Sequence, residues 1–240
     1  MYYNGCYSAP RTCNIIVQMG GKCLFSWSGG KDSALALYQI IGSRDYDIAA
    51  LVTTVTEGYD RISMHGVRCA LLERQAESLG LPLEKVMIPP GASNEEYELS
   101  LRRVLLGYKE SGVDSVIFGD IYLREVREYR EKQLDGLGLK CEFPIWGRDS
   151  GSLARGFIDN GFRAVVVCVD STQLDGGFSG REFDDDFLAG LPPGVDVCGE
   201  NGEFHTFVYD GPIFADRVEF ERGGITLRDG RFYYCDLLPG

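Results

Sequence analysis

A short apolar run, Leu24-Phe25-Ser26-Trp27, leads straight into Ser28-Gly29-Gly30-Lys31-Asp32-Ser33 and then into a helical-looking stretch that begins Ala34-Leu35-Ala36-Leu37. No other segment restricts the fold so much. Adjacent glycines let consecutive backbone N–H groups turn into one concavity, and the helix behind them adds the positive end of its dipole. A strand, a glycine turn and a helix start in this order make a cup suited to phosphate. The Walker arrangement Gly-x-x-x-x-Gly-Lys-[Ser/Thr] is not the one present, because Lys31 is followed by Asp32 and no glycine lies five residues before Gly30. The structural alternative is a plain turn with Asp32 or Ser33 capping the helix.

Apolar runs of strand length at 23–27, 48–55, 84–88, 115–119 and 140–143 alternate with amphipathic stretches at 33–41, 65–79, 94–110 and 123–137. This rhythm predicts an α/β fold: a parallel sheet with right-handed crossovers and helices on both faces. In a 3-2-1-4-5 strand order the first and fourth strands are neighbours. The glycine turn then faces Gly119-Asp120 beyond the carboxyl ends of the strands, where ligands of such sheets bind. Asp120 could there hold Mg2+ or orient an acceptor, or it could cap the helix near Leu123.

The turn-rich Pro144-Ile145-Trp146-Gly147-Arg148-Asp149 marks a boundary. A helix over 150–160 and a strand over 162–169 are expected beyond it, then glycine-rich loops. The tail, 217–237, alternates like paired strands, with turns at Gly223-Gly224 and Asp229-Gly230. Residues 1–20 read as a disordered extension, with Met19 as a second candidate start. Residues 21–143 read as one α/β domain and 144–240 as a smaller mixed α/β domain.

The chain of 240 residues carries a net charge of −12. Its nearest approach to a basic patch, Arg124, Arg127, Arg130 and Lys132, is interleaved with Glu125, Glu128 and Glu131 at helical spacings. That pattern reads as a solvated helix face with intrahelical ion pairs. Stable nucleic-acid binding, which needs clustered cations for several phosphates, is therefore not expected. Eight scattered cysteines without a Cys-x-x-Cys pair, and two histidines, offer no Cys/His zinc cage. They suit a reducing cytoplasm. No stretch approaches the roughly twenty apolar residues needed to span a bilayer, and the start does not read as a secretory signal.

A second concentration of chemistry is Gly199-Glu200-Asn201-Gly202-Glu203-Phe204-His205-Thr206-Phe207. Two carboxylates three residues apart, flanked by glycines and followed by a hydroxyl, suit a polar or cationic substrate. By itself the segment could equally be a turn.

The hexapeptide resembles the Ser-Gly-Gly-x-Asp-Ser signature of the PP-loop ATP pyrophosphatases. Together with Ser63-Met64-His65-Gly66, the 144–149 segment and the 199–207 segment, in that order, it makes the chain resemble the diphthine-ammonia ligase family of these enzymes. The family is adenine nucleotide alpha hydrolase-like, and the resemblance covers about residues 22 to 215. It implies a Rossmann-like, HUP-type sheet in the first domain and a substrate-binding second domain. The implied activity is an AMP-forming ligase: ATP adenylylates a carboxylate with Mg2+ present, pyrophosphate leaves, and ammonia displaces AMP to give an amide.

The same resemblance implies hydroxyls from Ser28 and Ser33, backbone N–H groups from Gly29 and Gly30, charge from Lys31 and Mg2+ at Asp32, with Gly119 and Asp120 completing the nucleotide side. Asp32, Glu200 and Glu203 form the expected catalytic set, Glu200 and Glu203 being candidates, from charge and position, to bind the ammonium of that reaction and accept its proton. Asn201, Gly202, Glu203 and Thr206 are expected to face the acceptor, and Trp146 and Arg148 to flank nucleotide or substrate at the junction. Trp146 could equally plug the core. His65 could stack on adenine or contact phosphate, or act as an ordinary capping or core histidine. His205 is assigned no catalysis and Cys198 a packing role. The acceptor is the diphthine of translation elongation factor 2 or a small-molecule carboxylate, with ammonium as nitrogen source; a homodimer is left open. The alternative class is an adenine-nucleotide-binding module without turnover. A sulfur-transferring tRNA enzyme would call for paired cysteines or a basic docking surface, and neither is in the sequence.

Overall fold

The computed structural model describes residues 20–58, 61–62 and 66–240. Ser63, Met64 and His65, with the role expected of His65, lie outside them, as do residues 1–19. The first sheet contains β1 (Gly21–Ser26), β2 (Tyr46–Thr56), β3 (Arg61–Ile62), β4 (Leu83–Ile88), β5 (Val113–Ile117) and β6 (Lys140–Glu142). β1 is central, and its Cys23, Leu24 and Phe25 are wholly buried, as a parallel strand covered on both faces must be. β2 and β5 flank it in parallel, β4 and β6 lie outside them, and the parallel order is β4-β2-β1-β5-β6. The alternation predicts the parallel sheet, and this is the 3-2-1-4-5 order in which the first and fourth strands are neighbours. The two-residue β3 adds an antiparallel contact at the end of β2.

Four helices fill the crossovers: α1 (Lys31–Ser43), α2 (Cys69–Leu79), α3 (Asn94–Glu110) and α4 (Arg124–Asp135). α3 opens with a capping box, in which Ser93 Oγ accepts from Glu96 N–H at 3.2 Å and Glu96 accepts from Ser93 N–H at 2.8 Å. α2 begins at Cys69, later than the 65 expected. Gly66 is left-handed (φ 66°), and Arg68 is extended and bridged to Arg61, so neither has helical backbone.

Beyond a turn at 144–147 come α5 (Ser150–Asp159) and β7 (Arg163–Asp170), then α6 (Asp185–Gly190), β8 (Phe204–Asp210), β9 (Phe220–Arg228) and β10 (Phe232–Pro239). The second sheet is antiparallel throughout, in the order β8-β7-β10-β9. The tail does form a hairpin, turning at Asp229 and Gly230, both with positive φ. The other expected turn is corrected: Gly223 and Gly224 lie inside β9. Pairing with β10 shifts register between Cys235 and Leu237, and a Cβ on Gly223 would sit 3.2 Å from the Asp236 carbonyl oxygen. The glycine thus serves a close strand approach at an irregularity.

One apolar cluster joins both sheets. Phe25 of β1 and Trp27 just past it share it with Phe157 of α5 and with Val165 and Phe204 of the second sheet, through α1 and α2. A separate cluster covers the opposite face of the first sheet, where Leu105 of α3 and Leu134 of α4 pack on Leu24, Val52 and Val116. Helices therefore lie on both faces, and the second sheet abuts the side that carries α1. No helix among the described residues is long and apolar enough to cross a membrane.

Candidate active site

Residues 28–30 leave β1 and cross the N-terminal end of α1. Ser28 Oγ and Ser33 Oγ are 3.0 Å apart, Gly30 N–H donates to Ser28 Oγ at 3.2 Å, and Ser33 Oγ donates to Gly30 O at 2.9 Å. Gly30 is the N-cap and has no side-chain cap bond, so the capping alternative for Asp32 or Ser33 does not occur. Gly29 has φ 76°, and a Cβ there would lie 2.8 Å from Gln75 Oε1. Only glycine meets both conditions without strain.

Gln75 of α2 is fully buried behind this turn. It accepts from Trp27 Nε1 at 2.9 Å and donates to Gly29 O at 3.1 Å and to Val208 O at 2.5 Å. Val208 N–H donates back to Gly29 O at 2.9 Å, and Lys31 N–H donates to Thr206 Oγ1 at 3.1 Å. The turn is thus locked to β8 by side-chain and backbone bonds together.

Lys31 is 3 % exposed; its ammonium donates to Asp32 Oδ2 at 2.8 Å and to the Cys198 carbonyl, above the rings of Phe204 and Phe183 at 5.4 and 5.8 Å. The other Asp32 oxygen, Oδ1, is buried with no hydrogen-bond partner among the described residues. Burial pushes the Asp32 carboxyl above its ordinary range, and Lys31 pulls it part of the way back.

The turn faces a cleft of about 410 Å3 whose far wall is the 199–206 segment. Ser28, Gly30, Lys31, Asp32 and Ser33 line one side, and Glu200, Asn201, Gly202 and Thr206 the other. Gly119 and Asp120, just past β5, close the end. A Cβ on Gly119 would lie 2.9 Å from Ser33 N and 3.0 Å from the Asp32 carbonyl oxygen, so β5 approaches α1 as closely as a bare backbone allows. Gly119→Ala should therefore lower stability by about 1–3 kcal/mol. An unchanged urea midpoint would show that the contact is slack.

Not every expected residue is in the cleft. Gly29 backs onto Gln75. Trp146 is half-buried against Phe143, with the Arg127 guanidinium 4.8 Å from its ring, and Arg148 is exposed. Neither lines the cleft. Glu203 is 2 % exposed and turned into its own loop, where it accepts from Asp196 N–H at 3.0 Å, Asn201 N–H at 3.0 Å and Asn201 Nδ2 at 2.9 Å.

Glu200 stands differently from Glu203. Its Oε1 accepts from Ile121 N–H at 2.8 Å and Tyr122 N–H at 3.3 Å, which ties the far wall to the segment after β5. Burial pushes its pKa up to about 7 against those bonds, with Asp32 and Asp120 adding repulsion. His205 also lines the cleft; burial and then Lys31 push its imidazole down to about 4, so it is neutral at pH 7. Cys198 is buried and its thiol is pushed up to about 12, first by burial, in keeping with packing.

Asp120 does not cap α4: the N-cap is Leu123, without a side-chain bond. Its carboxylate faces Arg130, with NH2 to Oδ1 at 3.1 Å and Nε to Oδ2 at 2.8 Å. The interleaved charges of the sequence place Arg130 on a solvated face. Arg127 and Glu131 do form the expected i,i+4 pair at 2.7 Å, but Arg130 points into the cleft across the Phe118 ring, 4.4 Å from its centre. Arg130 and Gln75 are the participants that sequence reasoning missed. Interleaved glutamates masked Arg130. Gln75 did leave a sign, as a polar residue three and four positions beyond Leu72 and Leu71 on the buried stripe of α2.

Beside the cleft lies a second, more apolar cavity of about 170 Å3, walled by Trp27, Val52, Leu101 and Val116 among others. Ser26, Ser28, Phe118 and Arg130 line both.

Comparison with known proteins finds two family matches in sequence order: the diphthamide synthase N-terminal domain over residues 21–141 and the diphthamide synthase C-terminal domain over residues 149–235. Similar whole proteins include a diphthine–ammonia ligase of Danio rerio, 29% identical over 213 residues, spanning 80% of this chain and 83% of that protein. A diphthine–ammonia ligase of Homo sapiens is 25% identical over 222 residues, spanning 83% of each chain. One of Schizosaccharomyces pombe is 28% identical over 219 residues, which cover 82% of this chain and 36% of that longer protein.

Proposed function

The chain belongs to the diphthamide synthase family, and from that premise we propose that it is an ATP-dependent ligase that adenylylates a carboxylate and aminates it with ammonia, the acceptor being diphthine on elongation factor 2. The observation that carries this reading is the meeting of two motifs far apart in sequence: the glycine turn with the open Asp32 oxygen, and Glu200 across the same cleft.

The apolar cavity suits adenine and the polar cleft suits the phosphates, so the α-phosphorus falls where the two cavities share a wall. The acceptor carboxylate attacks there, the bond to the β-phosphate oxygen breaks, and pyrophosphate leaves with the electron pair. Activation is needed because a carboxylate resists nucleophiles whereas an acyl-adenylate has a good leaving group. Ser28, Ser33 and the turn's backbone hold the departing pyrophosphate.

Mg2+ prefers one or two carboxylates plus phosphate oxygens, and a buried carboxylate oxygen with no partner fits that preference, so Asp32 would hold the ion. When bound it would neutralise phosphate charge. Glu200, as a carboxylate, binds ammonium and takes its proton, leaving ammonia to displace AMP. Glu203 holds the 196–203 loop in shape. The six described cysteines form no disulfide with one another, which supports a reducing cytoplasm as the site of action.

The test is incubation with α-labelled ATP, ammonium and candidate acceptors. AMP and pyrophosphate formed only with an acceptor support the ligase. ADP and orthophosphate would overturn it, and tight ATP binding without AMP would favour a binding module.

Glu200 sets the pH dependence. Amide formation should rise about tenfold per pH unit below 7 and level off above it, as the carboxyl loses its proton near 7. The stability contribution has the opposite sign. A folded-state pKa raised from 4.5 to about 7 favours the folded protein below 4.5, and that advantage drains away as pH rises to about 7. Glu200→Gln should accordingly melt higher than wild type at pH 8 while forming no amide. A flat rate profile from pH 6 to 8 would remove Glu200 from the proton-accepting role.

A further inference from the structure

We propose, resting on the reading above, that Arg130 is the cation that binds the α-phosphoryl group of ATP, exchanging Asp120 for phosphate as the nucleotide enters. Two cationic side chains line the polar cleft among the described residues, and they are not equivalent. The Lys31 ammonium is committed to Asp32 and the Cys198 carbonyl. Arg130 keeps 31 % of its side chain exposed and lies in the wall shared by the apolar and polar cavities. A nucleotide with its base in one and its pyrophosphoryl group in the other must pass its α-phosphate along that wall.

The hold of Asp120 on Arg130 is incomplete. The Nε to Oδ2 approach is 2.8 Å, yet it lies off the hydrogen-bond direction, leaving both buried atoms without a proper hydrogen bond; only the NH2 to Oδ1 contact at 3.1 Å is one. A guanidinium in this state keeps donors for an incoming anion. The Phe118 face, 4.4 Å from the guanidinium carbon, fixes the plane of the group as it changes partner. During adenylylation negative charge concentrates on the non-bridging α-phosphate oxygens while the acceptor oxygen bonds to phosphorus and the β-phosphate oxygen departs. A fixed cation there lowers that barrier without reorganising. Asp120, released from its pair, turns its charge toward the incoming ammonium.

The test compares Arg130→Gln, Arg130→Lys and the wild type in single-turnover AMP formation, with free guanidinium added to the Gln variant. The Gln variant should lose about 100-fold in rate, and guanidinium or the Lys variant should restore part of it, which a merely structural ion pair would not show. A Gln variant within threefold of wild type, or a loss that neither guanidinium nor Lys repairs, overturns the assignment. Were the wild type itself to make ADP, the ligase reading would fail first. Were it to make AMP and the Gln variant equally so, the role of Arg130 alone would fall.

Discussion

Asp32→Asn is expected to slow AMP formation by about 100- to 1000-fold while leaving the chain folded. The substitution keeps the size of the side chain and removes its charge, so the buried oxygen that has no partner becomes a far weaker ligand. Its other oxygen pairs with Lys31, and loss of that charge leaves the ammonium with the Cys198 carbonyl and two aromatic faces. The measurement is the rate of AMP release at saturating ATP, with and without Mg2+. A variant that retains a tenth of the wild-type rate would show that the open oxygen has no part in the reaction.

Glu203→Ala carries the largest expected cost in stability, about 3 kcal/mol, because it strands the N–H groups of Asp196 and Asn201 and the Asn201 amide inside the loop. Glu203→Gln should cost roughly half as much, since one oxygen still accepts while its new N–H2 group meets another donor. The two readings of this residue separate cleanly. A residue that handles ammonium would lose amide product in the Gln variant with an unchanged melting temperature, while ATP binding persists. A residue that shapes the loop would lower the melting temperature and leave acceptor-dependent AMP formation at low temperature. Urea unfolding and product analysis on the same preparation decide between them.

Local physics made much of this legible from sequence. The glycine turn needs a strand, two small residues and a helix start, all contiguous, so its place at the end of β1 could be foreseen. The parallel sheet followed from the alternation of apolar runs. What escaped depends on direction. Glu200 and Glu203 look alike in sequence, but Gly199 and Gly202 both take positive φ, and the tight path they allow sends the first carboxylate toward the cleft and the second back into the loop. Arg130 was hidden because a helix with mixed charges reads the same whether its third cation meets water or Asp120. Gly223-Gly224 reads as a turn unless the bulge on the neighbouring strand is known. In each case the deciding contact comes from an element remote in sequence.

The bonds that join Thr206 and Val208 to the glycine turn, and the one Lys31 donates to the Cys198 carbonyl, place the last supports of that turn beyond residue 197. On the ribosome, the amino-terminal half therefore emerges with its glycine turn not yet braced. Under the reading proposed above, only the docking of β8 readies that turn for ATP, so an unfinished or truncated product would be kept from consuming it uselessly.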